Sequence, residues 1–579
     1  MKRLLLLLTL AVATLGSAMA KEVSPSAALR IAGTVLGDAT RGGAMRVAWD
    51  SSRLGGTRAD EGAPTFYVVT AESGAGFVIV AGDDAITPVL AYSTSFSAPA
   101  DAALAPCFEG WLRYVDAAVR SARERGVRAD AATAQLWSEE YQPVGAITLG
   151  TARWSQVPPY NDQCPLDGDV HSLTGCTQTA MAIIMNHYRW PERAKGVTAA
   201  YTTALKGINV PARDLNHAYD WDSMLYTYVE GEYNAEQAAA VATIMADLGH
   251  AFQAEYTATD TGAMPNMMSL YENFGYSPAS NIMTRRQHSD AYWKSLLRAE
   301  IEAGRPVFYA GYTAEGSGHA FVLDGVDDND YFLVNWGWGG VYDGFFLIDN
   351  LMLDEYLFDT EHWAVMGMHP MRDGEVDNWL YLSSSGLRVA TTEFEKGVAF
   401  NVEPISMVNY AQLGFKGEVR VGVHGADGQH KSWVTEAYPF ELPSLYAMST
   451  DSMRAMVTED IAVGDRLRVY YRSQSSDKWF KMEAMAEGAC AEVIMKYAPI
   501  GDTTSMSFDK SSGLLVVEYD DDVKSALYLL GAYVEDGVTI RKGAMIIDTA
   551  MLTPSGLYTI YLERKDVENK SITFVINKL

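Results

Sequence analysis

Cysteine is scarce in this chain, with four (Cys107, Cys164, Cys176 and Cys490) among 579 residues. That is far below the density of a disulfide-stapled scaffold, and no C-x-x-C pair offers a zinc knuckle or a redox motif. Cationic residues are also few: 45 Lys and Arg face 73 Asp and Glu, a net charge of −28. A surface so anionic repels phosphate backbones and acidic lipid headgroups, which argues against nucleic-acid binding through a basic face. Beyond residue 20 no run of eighteen apolar residues occurs, so no membrane span is expected. Fixed-period repeats and low-complexity tracts are absent too. What remains, 48% hydrophobic and 20% charged, is an ordinary globular mixture, long enough for about four folding units.

The first twenty residues read as a secretory signal. Lys2 and Arg3 precede the apolar run that starts at Leu4, and Ala18-Met19-Ala20 supplies an A-x-A cleavage site. Export is therefore expected, with the protein extracellular or held at the cell surface. Residues 21–145 carry three short strand patterns (66–70, 76–80 and 88–92) and a helical recurrence of Phe108, Trp111, Leu112, Val115 and Val119. The polar, Ala-rich stretch 123–140 reads equally as a helix or as an exposed linker. Between 146 and 370, helical segments (176–189, 234–250, 263–274, 291–303) precede strand-like runs (306–312, 319–326, 331–336, 344–348), the pattern of an α+β domain. From 371 onward apolar residues alternate, as in Val419/Val421/Val423 and Ile572/Phe574/Ile576. That pattern predicts two all-β sandwich modules, 371–497 and 498–579.

The chemistry concentrates in three stretches. In T-G-C-T-Q-T-A-M-A (174–182) a glycine precedes Cys176, and apolar residues then fall at helical spacing. A thiol at a helix N-terminus meets unpaired N–H groups and the positive end of the dipole, which favour its thiolate. The plainer reading is a small buried cysteine packing at a helix start. In G-H-A-F-V-L-D-G (318–325) His319 stands on an apolar strand, where a lone histidine is more often a core residue than a catalyst. Sixteen residues on, V-N-W-G-W-G-G (334–340) follows an Asp-Asn-Asp turn, so a hairpin brings Asn335 or Trp336 beside His319. An imidazole to accept the thiol proton, an amide to orient it and an indole to exclude water form a nucleophilic set. In W-S-Q-V-P-P-Y-N (154–161) the Gln156 amide suits an oxyanion, together with the backbone N–H of Cys176; otherwise it is a surface glutamine in a Pro-rich loop.

These stretches in this order, with D-G-F-F at 343–346, resemble the streptopain family of secreted bacterial cysteine peptidases, interpain-like enzymes among them. The resemblance implies a papain-like fold of two subdomains, with Cys176 as nucleophile, His319 as base and acid, and Gln156 in the oxyanion hole. Asn335 and Trp336 would support His319, with the division of labour between them open. Gly318 would line the substrate cleft, and a preference for a bulky apolar P2 side chain carries over. F-V-I-V-A-G-D-D (77–84) and P-V-L-A-Y-S (88–93) resemble the family's inhibitory propeptide, so 21–145 would be an intramolecular inhibitor. The final residues weakly resemble a type IX secretion sorting domain. Thr177 and Gln178 depart from the small apolar residues commoner after the nucleophile in relatives.

The expected function is thus a secreted zymogen of a cysteine endopeptidase acting on proteins and peptides, without a cofactor or metal. The competing reading is a surface binding or adhesion protein with a silent peptidase domain, against which the complete set Cys176, His319, Asn335 and Gln156 argues. A zinc site from Cys164, His171, Cys176 and His187 has the wrong spacing. The acidic turn Asp327-Asp328-Asn329-Asp330 lacks the twelve-residue calcium loop with its terminal Glu. A Cys164–Cys176 disulfide would block the nucleophile, and a reduced Cys176 is expected.

Overall fold

The computed structural model describes residues 21–37, 44–54, 63–138, 145–312, 318–348, 362–371 and 380–484, apart from isolated positions, and beyond 491 the strand segments between 492 and 576. The signal segment 1–20 and the expected boundary between the two β modules, at 497/498, lie outside the described residues. The chain divides into two compact units, one of residues 1–265 and 294–364, the other of 266–293 and 365–579.

In the first unit, the N-terminal segment folds as α1 (Pro25–Leu36), β1 (Met45–Asp50), β2 (Phe66–Ala71), β3 (Phe77–Ala81), β4 (Val89–Ser93) and α2 (Pro106–Arg125). Ser24 caps α1 by accepting the Ala27 N–H, and Pro25 sits at its first position, where no amide hydrogen is needed. β2, β3 and β4 are buried along their whole length, as strands covered on both faces are. On α2, Phe108, Leu112, Val115, Val119 and Ala122 form one buried stripe at helical spacing. A further helix α3 (Ala131–Ser138) follows, none of whose residues is buried; the described part of the 123–140 stretch, 123–138, is therefore the end of one helix, a short turn and a second helix. α1 and β1 lie outside the elements anticipated from sequence.

The following region supplies β5 (Ala146–Thr148), α4 (Cys176–Tyr188), α5 (Ala235–Ala251), β6 (Val307–Tyr312), β7 (Gly318–Asp327), β8 (Phe332–Asn335) and β9 (Gly344–Phe346). Asn234 and Gln237 form a capping box on α5, each side chain bonding the other's backbone N–H. The strands join one sheet in the order β1-β2-β3-β4-β9-β8-β7-β6, with β5 beside β7. β4 and β9 pair antiparallel, setting Phe345 opposite Tyr92 and Phe346 opposite Ala91, so the N-terminal segment extends the sheet of the second region. Buried tyrosines rivet the seam. Tyr92 donates to Asp327 Oδ2 at 2.7 Å, and Tyr331 donates to the Val89 carbonyl at 2.7 Å. Phe108 stacks on Tyr342 with ring centroids 4.5 Å apart and touches Trp336 and Phe346.

The second unit is predominantly β, as the alternation beyond 371 predicts. A four-stranded sheet and a six-stranded sheet share one core, in which Leu380, Leu382 and Met407 pack with Val419, Val421, Val469 and Tyr471. Two more four-stranded sheets follow between 505 and 576. Among the described residues no helix is long and apolar enough to cross a membrane.

Phe108 is fully buried between aromatic rings on the far side of the seam. Phe108→Ala should destabilise the first unit by about 3–5 kcal/mol, the usual cost of emptying an aromatic site. Urea denaturation reads this, and a loss under about 1 kcal/mol would mean that the ring stack contributes little to holding the segment.

Candidate active site

Cys176 is the first residue of α4, and the chain must turn sharply to put it there. Gly175 takes φ 92°, a region that side-chain-bearing residues avoid. A Cβ at this position would lie 2.5 Å from the Thr261 carbonyl oxygen and 2.6 Å from Gln178 Oε1. The Gly175 carbonyl accepts from the Thr179 N–H (3.1 Å) and the Thr179 hydroxyl (2.9 Å), closing the first turn. The thiol is partly exposed and unpaired, and Cys164 is likewise free, so no disulfide blocks the nucleophile. The side chains of Cys107 and Cys490 lie outside those described. Burial pushes the Cys176 thiol pKa up, the N–H groups of Ala320 and Thr177 pull it down, and the Asp260 carboxylate adds to the rise.

The Ala320 N–H at the sulfur places β7 against the nucleophile, and His319 is its neighbour on that strand. The imidazole is partly exposed. Burial lowers its pKa, while the carboxylates of Asp260 and of Glu109 on α2 push it back up. Among the described residues no hydrogen bond joins His319 to Cys176. Burial thus disfavours the charged form of both groups, the thiolate and the imidazolium. Gly318 heads β7, opposite Tyr312 in register.

The β7–β8 register sets Val322 opposite Asn335. Since directly opposed residues share a face and neighbours along a strand alternate, Asn335 lies on the face of Ala320 and Val322 rather than that of His319 and Phe321. Its amide donates to Thr151 Oγ1 (3.0 Å) and to the Ala152 carbonyl (2.9 Å), and its oxygen accepts the Gly337 N–H (3.1 Å). Trp336 turns to the other side. Its indole packs on Phe321 at 4.9 Å, and its Nε1–H donates to the Tyr342 carbonyl at 3.0 Å.

Gln156 is buried at 8% exposure, and its carbonyl accepts the Thr174 N–H at 3.2 Å, two residues before the nucleophile. Its side-chain amide makes no hydrogen bond within the described protein. The segment carrying it is held from beneath by charges that the sequence did not single out. Asp324, fully buried on β7, accepts from the Thr151 N–H (3.2 Å) and hydroxyl (2.6 Å). Arg153 is ion-paired to Asp324 at 3.1 Å and to Asp343 at 3.4 Å, and Asp343 Oδ1 accepts the Trp336 N–H at 3.0 Å. The guanidinium stacks 4.8 Å from the ring of Phe96 in the N-terminal segment. Asp324 and Asp343 stand in the G-H-A-F-V-L-D-G and D-G-F-F stretches only as single letters, and Arg153 lies outside every quoted stretch.

The candidate metal ligands are engaged elsewhere. His171 bonds the Cys164 carbonyl at 2.7 Å, and His187 bonds the Gly304 carbonyl at 3.2 Å. The Cys164 thiol is buried, its pKa pushed up to about 12. Asp327 of the acidic turn accepts from the N–H groups of Asn329 and Tyr331. Gln178, the departure next to the nucleophile, is fully buried with neither amide atom hydrogen-bonded.

Comparison with known proteins adds a second line. Residues 154–346 match the peptidase C10 family, and residues 20–119 match the Spi protease inhibitor family. Streptopain of Streptococcus pyogenes is 32% identical over 321 residues, covering 52% of this chain and 77% of that protein. A thiol protease/hemagglutinin of Porphyromonas gingivalis is 30% identical over 327 residues, 53% of this chain and 37% of that protein. Among solved structures, a prointerpain A fragment of Prevotella intermedia is 27% identical, covering 53% of this chain and 96% of that one, with a TM-score of 0.44.

Asp343 provides a pH test of the buried charges. Dehydration raises its pKa from 3.8 to about 7, against the opposing pull of Arg153 and the Trp336 N–H. The folded state therefore holds this proton more tightly than the unfolded chain does. The resulting stability is present below pH 4 and is lost progressively as pH rises from about 4 to about 7. Asp343→Asn should flatten the dependence of the melting temperature on pH across that window. An unchanged slope would mean that this carboxylate does not titrate there.

Proposed function

The chain belongs to the peptidase C10 family, the streptopain–interpain group of papain-like cysteine peptidases, and from that premise we propose how its own residues carry out peptide hydrolysis. It is a secreted cysteine endopeptidase made as a zymogen, with its inhibitor, residues 20–119, in the same polypeptide. The observation that carries the assignment of roles is the Ala320 N–H facing the Cys176 sulfur. It puts the helix-terminal thiol against the strand that bears His319.

In the reaction, His319 takes the Cys176 proton and the thiolate adds to the scissile carbonyl carbon. The Cys176 N–H and the side-chain amide of Gln156, which has no hydrogen-bond partner among the described residues, receive the negative charge that develops on the carbonyl oxygen. Collapse of this adduct breaks the C–N bond, and His319 protonates the departing amine. Water, deprotonated by His319, then adds to the thioester, and breaking of the C–S bond frees the acid and restores the thiol. Trp336, packed on Phe321 beside His319, shields the imidazole from water. Asn335 keeps the 151–156 segment, and with it Gln156, in place. A bulky apolar P2 side chain is the expected preference, and the β-rich residues after 371 are retained or removed independently of the chemistry.

Latency follows from the same electrostatics. While the N-terminal segment is seated, dehydration favours the neutral thiol and the neutral imidazole, and the two are not hydrogen-bonded. Removing the segment wets the site, which relieves the penalty on the ion pair.

Under reducing conditions the precursor should shed its N-terminal segment, whereas Cys176→Ala should remain intact and inactive. Iodoacetamide should alkylate Cys176 at pH 7 at least about tenfold faster after removal of the segment, since only the thiolate reacts. Full peptide hydrolysis by Cys176→Ala would overturn the peptidase reading. A processed protein whose Cys176 resists an epoxide thiol-protease inhibitor would favour the binding-protein alternative.

A further inference from the structure

The loop 257–263 takes no part in the chemistry described above, yet it is clamped to both sides of the nucleophile. On one side the Leu173 N–H donates to the Thr257 carbonyl at 3.0 Å. On the other, the Thr177 hydroxyl donates to the Ala263 carbonyl at 2.8 Å. Between them the Thr261 carbonyl packs against Gly175 so closely that no side chain fits there. Inside the loop, Thr257 Oγ1 accepts the Asp260 N–H (2.7 Å) and donates to the Asp260 carbonyl (2.9 Å). Thr261 Oγ1 accepts the Thr257 N–H (3.0 Å) and donates to the Thr257 carbonyl (3.0 Å). A loop cross-braced in this way does not swing, so the exposed carboxylate at its tip, Asp260, has a fixed position at the rim of the site.

Asp260 lies near enough to Cys176 and His319 for its charge to act on both. That charge disfavours the thiolate and favours the imidazolium. The two effects oppose each other in the proton transfer between the groups, so Asp260 gives the thiolate–imidazolium pair little net help. It does leave a fixed negative charge beside the place where a substrate must lie. Of the neighbouring carboxylates, Asp167 has Lys206, Asp247 has Arg213 and Asp324 has Arg153, whereas Asp162, Asp169 and Glu255, set away from the nucleophile's helix start, have no cationic partner among the described residues. Among the described residues Asp260 has none.

We propose that Asp260 is a specificity residue, which selects substrates bearing a lysine or arginine side chain next to the scissile bond, the substrate supplying the cation that the protein withholds. The inference rests on the peptidase reading and deepens it. An apolar P2 side chain and a basic neighbour would then be read by different walls of one cleft.

The test uses processed full-length enzyme and fluorogenic peptides with one common apolar P2 residue. Lysine or its uncharged analogue norleucine is placed in turn at P1 and P1′. At one of these positions kcat/KM for the lysine peptide should exceed that for the norleucine peptide about tenfold, as expected for one charge-assisted contact. Asp260→Asn should bring that ratio towards one, and Asp260→Glu should keep it well above one. Raising the ionic strength from about 0.05 to 0.5 M should erode the ratio in the unaltered enzyme, which reads the same charge without any substitution. Ratios that are identical in the unaltered enzyme and Asp260→Asn at every position, with no salt dependence, overturn the inference and leave the peptidase reading intact. Failure of the unaltered enzyme to cut any of the peptides overturns both.

Discussion

Asp324 is a carboxylate with no solvent contact, and the working geometry of the site converges on it. From the strand that bears His319 it ties down Thr151 through two hydrogen bonds and meets the Arg153 guanidinium. Arg153 in turn reaches Asp343, whose other oxygen holds the backbone of Trp336. One buried charge thus links the segment that delivers Gln156, the strand of His319 and the turn of Trp336. Taking such a carboxylate from water is costly unless it is paired and hydrogen-bonded, and burial still raises its pKa against the pull of Arg153. Removing one member would leave an uncompensated charge in the interior, so these residues form a set. The gain is positional accuracy: a strand, a loop segment and a turn, far apart in sequence, are tied to one another.

The inhibitory segment docks through backbone pairing. Its β4 continues the peptidase sheet through β9, and the seam buries tyrosine hydroxyls, an aspartate and a stack of aromatic rings. Joining a sheet edge satisfies a row of N–H and C=O groups at once, which favours docking along a line. From that platform α2 brings Glu109 towards His319, and Phe96 covers Arg153. Silence of the enzyme and stability of the precursor therefore depend on the same contacts.

Much of this was legible in the chain. Gly175 followed by apolar residues at helical spacing pointed to a thiol at a helix start, since a sharp entry needs a residue without a side chain. The alternation around His319 and Asn335 gave the hairpin. The lean cysteine content gave an unpaired nucleophile. Other features were not legible, for identifiable reasons. Arg153 and Asp343 are common surface residues when read singly, and only the fold brings them together out of water. The choice between Asn335 and Trp336 turns on strand register, because a shift of one residue exchanges faces, and motif spacing does not contain it. Gln178 stood out as a departure, but its burial without a partner is a matter of packing. Nothing around Asp260 in sequence marks it as a neighbour of Cys176 and His319, 84 and 59 positions away.

The sequence by itself determined the class of chemistry, a cysteine peptidase preceded by its inhibitor in one chain, and it singled out Cys176 and His319 as the candidates for the attack and the proton transfer. These follow from residue type and local periodicity, which act over a few residues. Tertiary structure alone decided where those groups stand, what charges surround them and whether they are ionised. Dehydration, ion pairing and strand register arise only when distant segments meet, and dehydration there pushes the Cys176 thiol pKa up and the His319 imidazole pKa down.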